Sequence, residues 1–164
     1  LKEDLIFICT GAETNKIIDI NYSINRGVVG ITDSTINSDK AESQNGYYIN
    51  SKKLNMCLIG SSFTRVEKVS PYQPTQNDKK QIIDKTKNLI TVDKGISMRH
   101  GYRCNTKYRI PTIKQVNEKI ICVCGMGSRG YINAPYTAQI IIDIITNKIT
   151  TKDFKILKLL TNQN

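Results

Sequence analysis

Gly125-Met126-Gly127-Ser128-Arg129-Gly130 stands between an apolar β-type run, Ile120-Ile121-Cys122-Val123-Cys124, and an apolar helical stretch from Asn133 to about Asn147. Glycines let a backbone come close to a ligand. The start of a helix offers N–H groups without an intrahelical partner, at the positive end of a dipole. An electron-rich group suits such a turn, and strand, glycine turn, helix is the order that dinucleotide sites use. A complete dinucleotide unit also needs a second parallel strand after the helix, with an acidic residue near its end. Only Lys148-Ile149-Thr150-Thr151-Lys152-Asp153-Phe154 and a short basic tail follow. The pattern therefore predicts a helix-dipole site at the end of a larger fold, with a purely structural tight turn as the alternative.

Other residues able to do chemistry are few. Arg99 and Arg103 lie four apart in a β-type segment from Ile96 to Thr106, which places them on one face of an extended chain. His100, the lone histidine, has no cysteine or serine–acid constellation around it and reads as an ordinary loop histidine. The five cysteines, Cys9, Cys57, Cys104, Cys122 and Cys124, are odd in number, scattered, and mostly inside apolar runs, which fits a reducing cytosol. Cys122 and Cys124 share a strand face and have metal-ligand chemistry, but there is no second close cysteine pair, so buried thiols are the better reading and no metal is expected. No convincing acid–base dyad emerges.

The elements that must carry these residues follow from patterning. Leu5-Ile6-Phe7-Ile8-Cys9 is a continuous apolar run ending in Thr10-Gly11-Ala12, as expected of a strand buried on both faces that stops at a tight backbone site. From Asn21 to Ser70 short strands alternate with polar turns: Gly27 to Thr32, Gly46 to Asn50 after the turn pair Asn45-Gly46, and Leu54 to Gly60. Thr75-Gln76-Asn77-Asp78, after the break at Pro71 and Pro74, has capping-box spacing and announces a helix. Ile82, Ile83, Leu89 and Ile90 form its apolar stripe, and Lys79, Lys80, Lys85 and Lys87 a solvated face.

A chain of 164 residues with 39% hydrophobic residues supports one compact domain with a real core. No apolar run approaches the ~20 residues needed to cross a bilayer. Leu1-Lys2-Glu3-Asp4 is neither a signal peptide nor an initiator methionine, so the chain reads as soluble and cut at its front. The net charge of +10, from 24 Lys+Arg against 14 Asp+Glu, favours a phosphate-bearing partner. A codon supply biased towards Lys, Asn and Ile would leave the same excess.

Several motifs occur together and in order: Thr10-Gly11-Ala12 after a strand, Asn25-Arg26-Gly27-Val28-Val29, Gly46-Tyr47-Tyr48-Ile49, Ile59-Gly60-Ser61-Ser62-Phe63, Gly101-Tyr102-Arg103-Cys104-Asn105-Thr106 with Pro111, and Gly127-Ser128-Arg129-Gly130 with Ala134-Pro135. This set resembles the C-terminal half of the FAD-dependent amine and amino-acid oxidases of the D-amino-acid oxidase type. Within that family it is most similar to the tRNA-modifying branch, in which an oxidase domain is joined to a methyltransferase in the making of 5-methylaminomethyl-2-thiouridine.

The resemblance implies an α+β chain with an incomplete FAD oxidase fold. Residues 1–20 and 111–164 would be the C-terminal part of an α/β FAD-binding domain, and residues 21–110 a mixed or antiparallel substrate-binding sheet with one packed helix. It implies FAD as cofactor, tRNA as partner, and oxidative removal of the carboxymethyl group from a carboxymethylaminomethyl wobble uridine. Arg103 matches the arginine that pairs with a substrate carboxylate, with a structural ion pair or surface arginine as the alternative. Gly127, Ser128, Arg129 and Gly130 match the loop at the flavin's pyrimidine edge, and Thr10 and Gly11 the strand end near the nucleotide part. Tyr108 and Lys114 stand where the family commonly has an aspartate and a glycine. The family's N-terminal βαβ unit has no counterpart here, so a missing FAD-binding half and a methyltransferase domain are implied partners. A small-molecule amino-acid or sarcosine-like oxidase and a non-catalytic, basic tRNA-binding remnant are the competing functions.

Overall fold

The computed structural model describes residues 5–33, 41–44, 47–49, 57–92, 95–146 and 148. The expected turn Asn45-Gly46, the stretch 54–56 and the tail from 149 onward lie outside the described residues. The chain forms two compact units, one of Leu1–Asn25, Val66–Val69 and Arg103–Asn164, the other of Arg26–Arg65 and Ser70–Tyr102.

In the first unit, strand β1 (Ile6–Ile8) runs parallel to β9 (Ile120–Cys124), with Ile8 opposite Cys122. Strand β8 (Thr112–Gln115) flanks β9 on its other side in antiparallel register, Thr112 opposite Cys124. The two-residue period of β9 sorts its side chains. Ile121 and Val123 pack with Ile140 and Ile141 of helix α2 (Gly130–Ile145), while Cys122 and Cys124 pack with Cys104 and Ile20. Strand β9 is thus covered on both faces. The same expectation for β1 does not hold, since Ile6 is 53% and Phe7 45% exposed. The cause is position, because β1 is an edge strand that pairs only with β9 among the described residues.

The second unit holds most of a six-stranded sheet made of β2 (Ser23–Thr32), β3 (Glu42–Gln44), β4 (Tyr47–Ile49), β5 (Cys57–Gly60), β6 (Thr64–Val66) and β7 (Ser97–Asn105). Its order is β3-β4-β5-β2-β6, with β7 also paired to β2. The β2–β5 register sets Gly30 opposite Ile59, and helix α1 (Gln76–Thr86) lays its apolar stripe on this sheet. Ile82, Val28 and Ile59 are completely buried there. Buried Ser62 extends the pairing of β2 beyond β5, its Oγ accepting from Val28 N at 2.9 Å and its N–H donating to Val28 O at 3.0 Å.

The capping box forms with Asp in place of Glu. Asp78 N donates to Thr75 Oγ1 at 3.3 Å, and Asp78 Oδ2 accepts from Thr75 N at 2.8 Å and from Tyr72 OH at 2.5 Å. Burial alone would raise the Asp78 pKa, but the bonds from Tyr72 and Thr75 and the charge of Arg26 outweigh it and hold the carboxyl below its ordinary 3.8. A depressed folded-state pKa contributes stability at neutral pH that is lost as pH falls through that value. Thermal stability of the wild type should therefore fall below about pH 4, and Asp78→Asn should flatten that acid limb. An unaltered acid limb in the variant removes Asp78 from the account.

His100 is not a loop residue. It sits exposed on β7, edge-on to Tyr72 and Tyr102 at centroid distances of 5.6 and 5.7 Å. Arg26 Cζ lies 3.4 Å from the Tyr72 ring centroid, a cation–π contact that ties β2 to the α1 cap.

Candidate active site

Strand β7 ends at Asn105, which forms an isolated antiparallel bridge with Met126. This bridge lays the segment Arg103–Thr106 along the glycine turn that leaves β9. Gly125 N donates to Cys104 Sγ at 3.2 Å. Thr106 braces the other side, its Oγ1 donating to Ile110 O at 2.6 Å and accepting from Ile110 N at 3.2 Å.

The need for glycine in the turn arises within the chain. Gly127 has φ +56°, and a Cβ there would sit 2.4 Å from Asn105 Oδ1; Gly125 has φ +78°, and its Cβ would sit 2.4 Å from Thr106 Cγ2. Both positions forbid a side chain on conformational and steric grounds. Gly130 differs, with φ −54° and Met126 Cβ 3.7 Å from a would-be Cβ. The structural alternative thus accounts for two of the three motif glycines, and it serves the site by fixing the turn against β7.

Gly127–Arg129 form one 3-10 turn that feeds directly into α2 at Gly130, earlier than the expected Asn133. Pro135 lies inside the helix rather than in its first turn. Ser128 and Arg129 are exposed at this helix entrance. Arg103 is half-buried on β7 and, being two residues from Asn105, shares its strand face. Arg99, expected on that face too, is exposed and falls in the other unit.

Gly11 opens a second 3-10 turn, Gly11–Lys16, directly after β1. Buried Thr14 holds it, its Oγ1 donating to Gly11 O at 2.8 Å, and Tyr22 OH donates to Ala12 O at 3.1 Å. Thr10 is exposed. A cavity of about 600 Å3 opens between the sheet and α2, walled by Phe7, Val123, Ala138 and Ile142 and reached by Gly11 and Gly125. Arg103, Thr10 and Gly127–Gly130 do not line it. The structure therefore brings Arg103, Asn105 and the glycine turn together along β7, while Gly11 reaches only the cavity.

Four of the five thiols, those of Cys57, Cys104, Cys122 and Cys124, are buried in the core, while Cys9 is exposed. Burial first, then the neighbouring Cys104 and Cys122, pushes Cys124 up to about 12, so it stays protonated and unreactive at neutral pH. Among the described residues, no group of three or more His, Cys, Asp or Glu side chains is placed to hold a metal. Tyr108 is 58% exposed, and Lys114 Nζ donates to Asp19 O at 2.8 Å, so neither departure from the family pattern intrudes on the turn. Sequence reasoning missed Asn105, whose Nδ2 is shielded from solvent without a hydrogen-bond partner. Its only signal was the two-residue spacing from Arg103.

Strand β9, its glycine turn and the entrance of α2 thus lie beside the end of β7, the strand that carries Arg103. The family model described as FAD dependent oxidoreductase, the D-amino-acid oxidase family, matches residues 2–144. The chain belongs to this family, whose cofactor is FAD. Among solved structures it is similar to glycine oxidase from Bacillus cereus, with 16% identity and a TM-score of 0.73 over 89% of this chain and 43% of that one. Iminodiacetate oxidase from Chelativorans gives 13% identity and a TM-score of 0.75 over 92% of this chain and 44% of that one. L-proline dehydrogenase from P. horikoshii gives 15% identity and a TM-score of 0.60 over 90% and 44%. The chain thus spans less than half the length of these structures. None of the curated proteins matches it. No helix among the described residues is long and apolar enough to cross a membrane.

The residues present fit FAD. An unpartnered amide donor beside Gly127 and an exposed helix entrance at Ser128 and Arg129 supply what a flat, acceptor-rich ring requires.

Proposed function

We propose that this chain is the substrate-binding and flavin-contacting part of an oxidase that acts on an N–CH2–carboxylate group, carried on the carboxymethylaminomethyl arm of a wobble uridine in tRNA. The observation that carries the reading is the placement of Arg103 on the strand whose next same-face residue, Asn105, bridges to the glycine turn. A planar guanidinium makes two parallel charge-assisted hydrogen bonds to a carboxylate, which fixes the substrate's reacting carbon as well as binding it. Glycine and iminodiacetate, named for two of the similar structures, both contain the N–CH2–carboxylate unit. The net charge of +10 suits a polyanionic carrier.

FAD supplies an acceptor for two electrons and a proton. In the balanced reaction R–NH–CH2–COO− and water become R–NH2 and glyoxylate, with two electrons and one proton passing to that acceptor and the second proton to solvent. Arg103 holds the carboxylate throughout. The backbone of Gly127–Arg129 lies where N–H dipoles favour an electron-rich ring edge. An FAD-binding half that grips the nucleotide end and a methyltransferase domain that acts on the product amine belong to the same proposal.

The test uses the FAD-loaded protein with tRNA bearing the carboxymethylaminomethyl arm, and with free glycine, sarcosine and iminodiacetate. Nucleoside mass analysis and glyoxylate release should report conversion of the tRNA, with kcat/KM falling steeply as salt rises. Turnover of the free amino acids with no action on tRNA supports the small-molecule reading favoured by the similar structures. Salt-sensitive tRNA binding with no oxidation of anything supports a non-catalytic module.

A further inference from the structure

We propose that the side-chain amide of Asn105 donates a hydrogen bond to an acceptor on the flavin ring of FAD and thereby helps set the cofactor's redox poise. The inference rests on reading the Gly125–Gly130 turn as the flavin-facing part of the chain. Asn105 Nδ2 is shielded from solvent and has no hydrogen-bond partner. A buried donor left unmade costs about 1–3 kcal/mol, and native proteins leave few of them.

The rest of Asn105 is engaged. Its carbonyl oxygen accepts from Ser23 Oγ at 3.3 Å, its backbone bridges to Met126, and Oδ1 occupies the space that a Gly127 Cβ would need. The strand end that carries the amide is thereby fixed, and the side-chain NH2 group is what remains for a ligand. A permanently charged carboxylate is the natural partner of a cation, which Arg103 provides on the same strand face. A neutral amide is better matched to a ring carbonyl or nitrogen that gains negative charge only on reduction. There a fixed donor favours the reduced form over the oxidised one.

The decisive measurement is on the FAD-loaded protein, comparing wild type with Asn105→Leu, which keeps the size and removes the donor, and Asn105→Asp, which keeps the shape and substitutes a carboxylate. The probes are sulfite, whose reversible adduct places negative charge on the same ring, and the two-electron reduction potential. Asn105→Leu should raise the sulfite dissociation constant about ten-fold, equivalent to about 30 mV lower potential. Asn105→Asp should lower the potential further. An unchanged sulfite constant and potential in both variants, or a rise in KM alone, would overturn the proposal. Wild-type protein that takes up no FAD even when joined to its FAD-binding half sinks the underlying reading as well, and that failure shows before any variant is compared.

Discussion

Arg103→Ala is expected to raise KM for a carboxylate-bearing substrate by roughly 100-fold or more while leaving the FAD dissociation constant within about two-fold of wild type. Truncating one partner of a shielded charge pair costs about 2–5 kcal/mol, much of it from stranding the other charge. Arg103→Lys keeps the charge but loses the flat two-pronged donor, so it should recover only part of the loss, to roughly 10-fold below wild type in kcat/KM. Steady-state kinetics and quenching of flavin fluorescence give the two numbers independently. An unchanged KM in the alanine variant would remove Arg103 from substrate binding and make it a structural arginine of β7. Equal losses of FAD and substrate affinity would place it on the cofactor instead.

Gly127→Ala should be strongly destabilising. The alanine must hold φ near +56° and must displace Asn105 Oδ1 from 2.4 Å. Left-handed backbone costs about 1–2 kcal/mol for a non-glycine residue, and the forced shift of a bridged strand end adds to it. A total near 2–3 kcal/mol is expected, with a lower Tm and weakened FAD binding. Gly130→Ala is the internal control. It adds a methyl at φ −54° with its nearest neighbour at 3.7 Å, so it should be neutral or slightly stabilising, by about 0.5–1 kcal/mol. Should both variants unfold alike, the account of the turn is wrong.

What sequence could disclose depended on whether a signal was local. The capping box at Thr75 and Asp78 and the start of the stripe at Ile82 are carried by residues within a turn or two of each other, and α1 forms there, but it ends at Thr86, so Leu89 and Ile90 of the expected stripe reach the core from beyond the helix. Strand, glycine turn and helix at 120–145 were equally legible, although α2 begins at Gly130 because the 3-10 turn runs into it without a break. The family emerged from motifs in order, and the match over residues 2–144 agrees with it. Long-range facts were not written locally. Ile6 and Phe7 have the composition of a strand covered on both faces, but periodicity cannot count neighbours in a sheet. His100 read as a loop histidine although it falls inside the expected β-segment Ile96 to Thr106, and pairing of β7 with β2 holds it on the strand. Asn105 mattered only once Met126 and Gly127 were found beside it, 21 residues or more along the chain.

The outer rim of β1 sets how the polypeptide must be handled. Among the described residues that edge has no strand partner, and its backbone donors and acceptors, flanked by Ile6 and Phe7 in contact with water, are a template for an extended peptide that meets them. A charged residue in place of Ile6 or Phe7 would blunt that edge against pairing with a second chain.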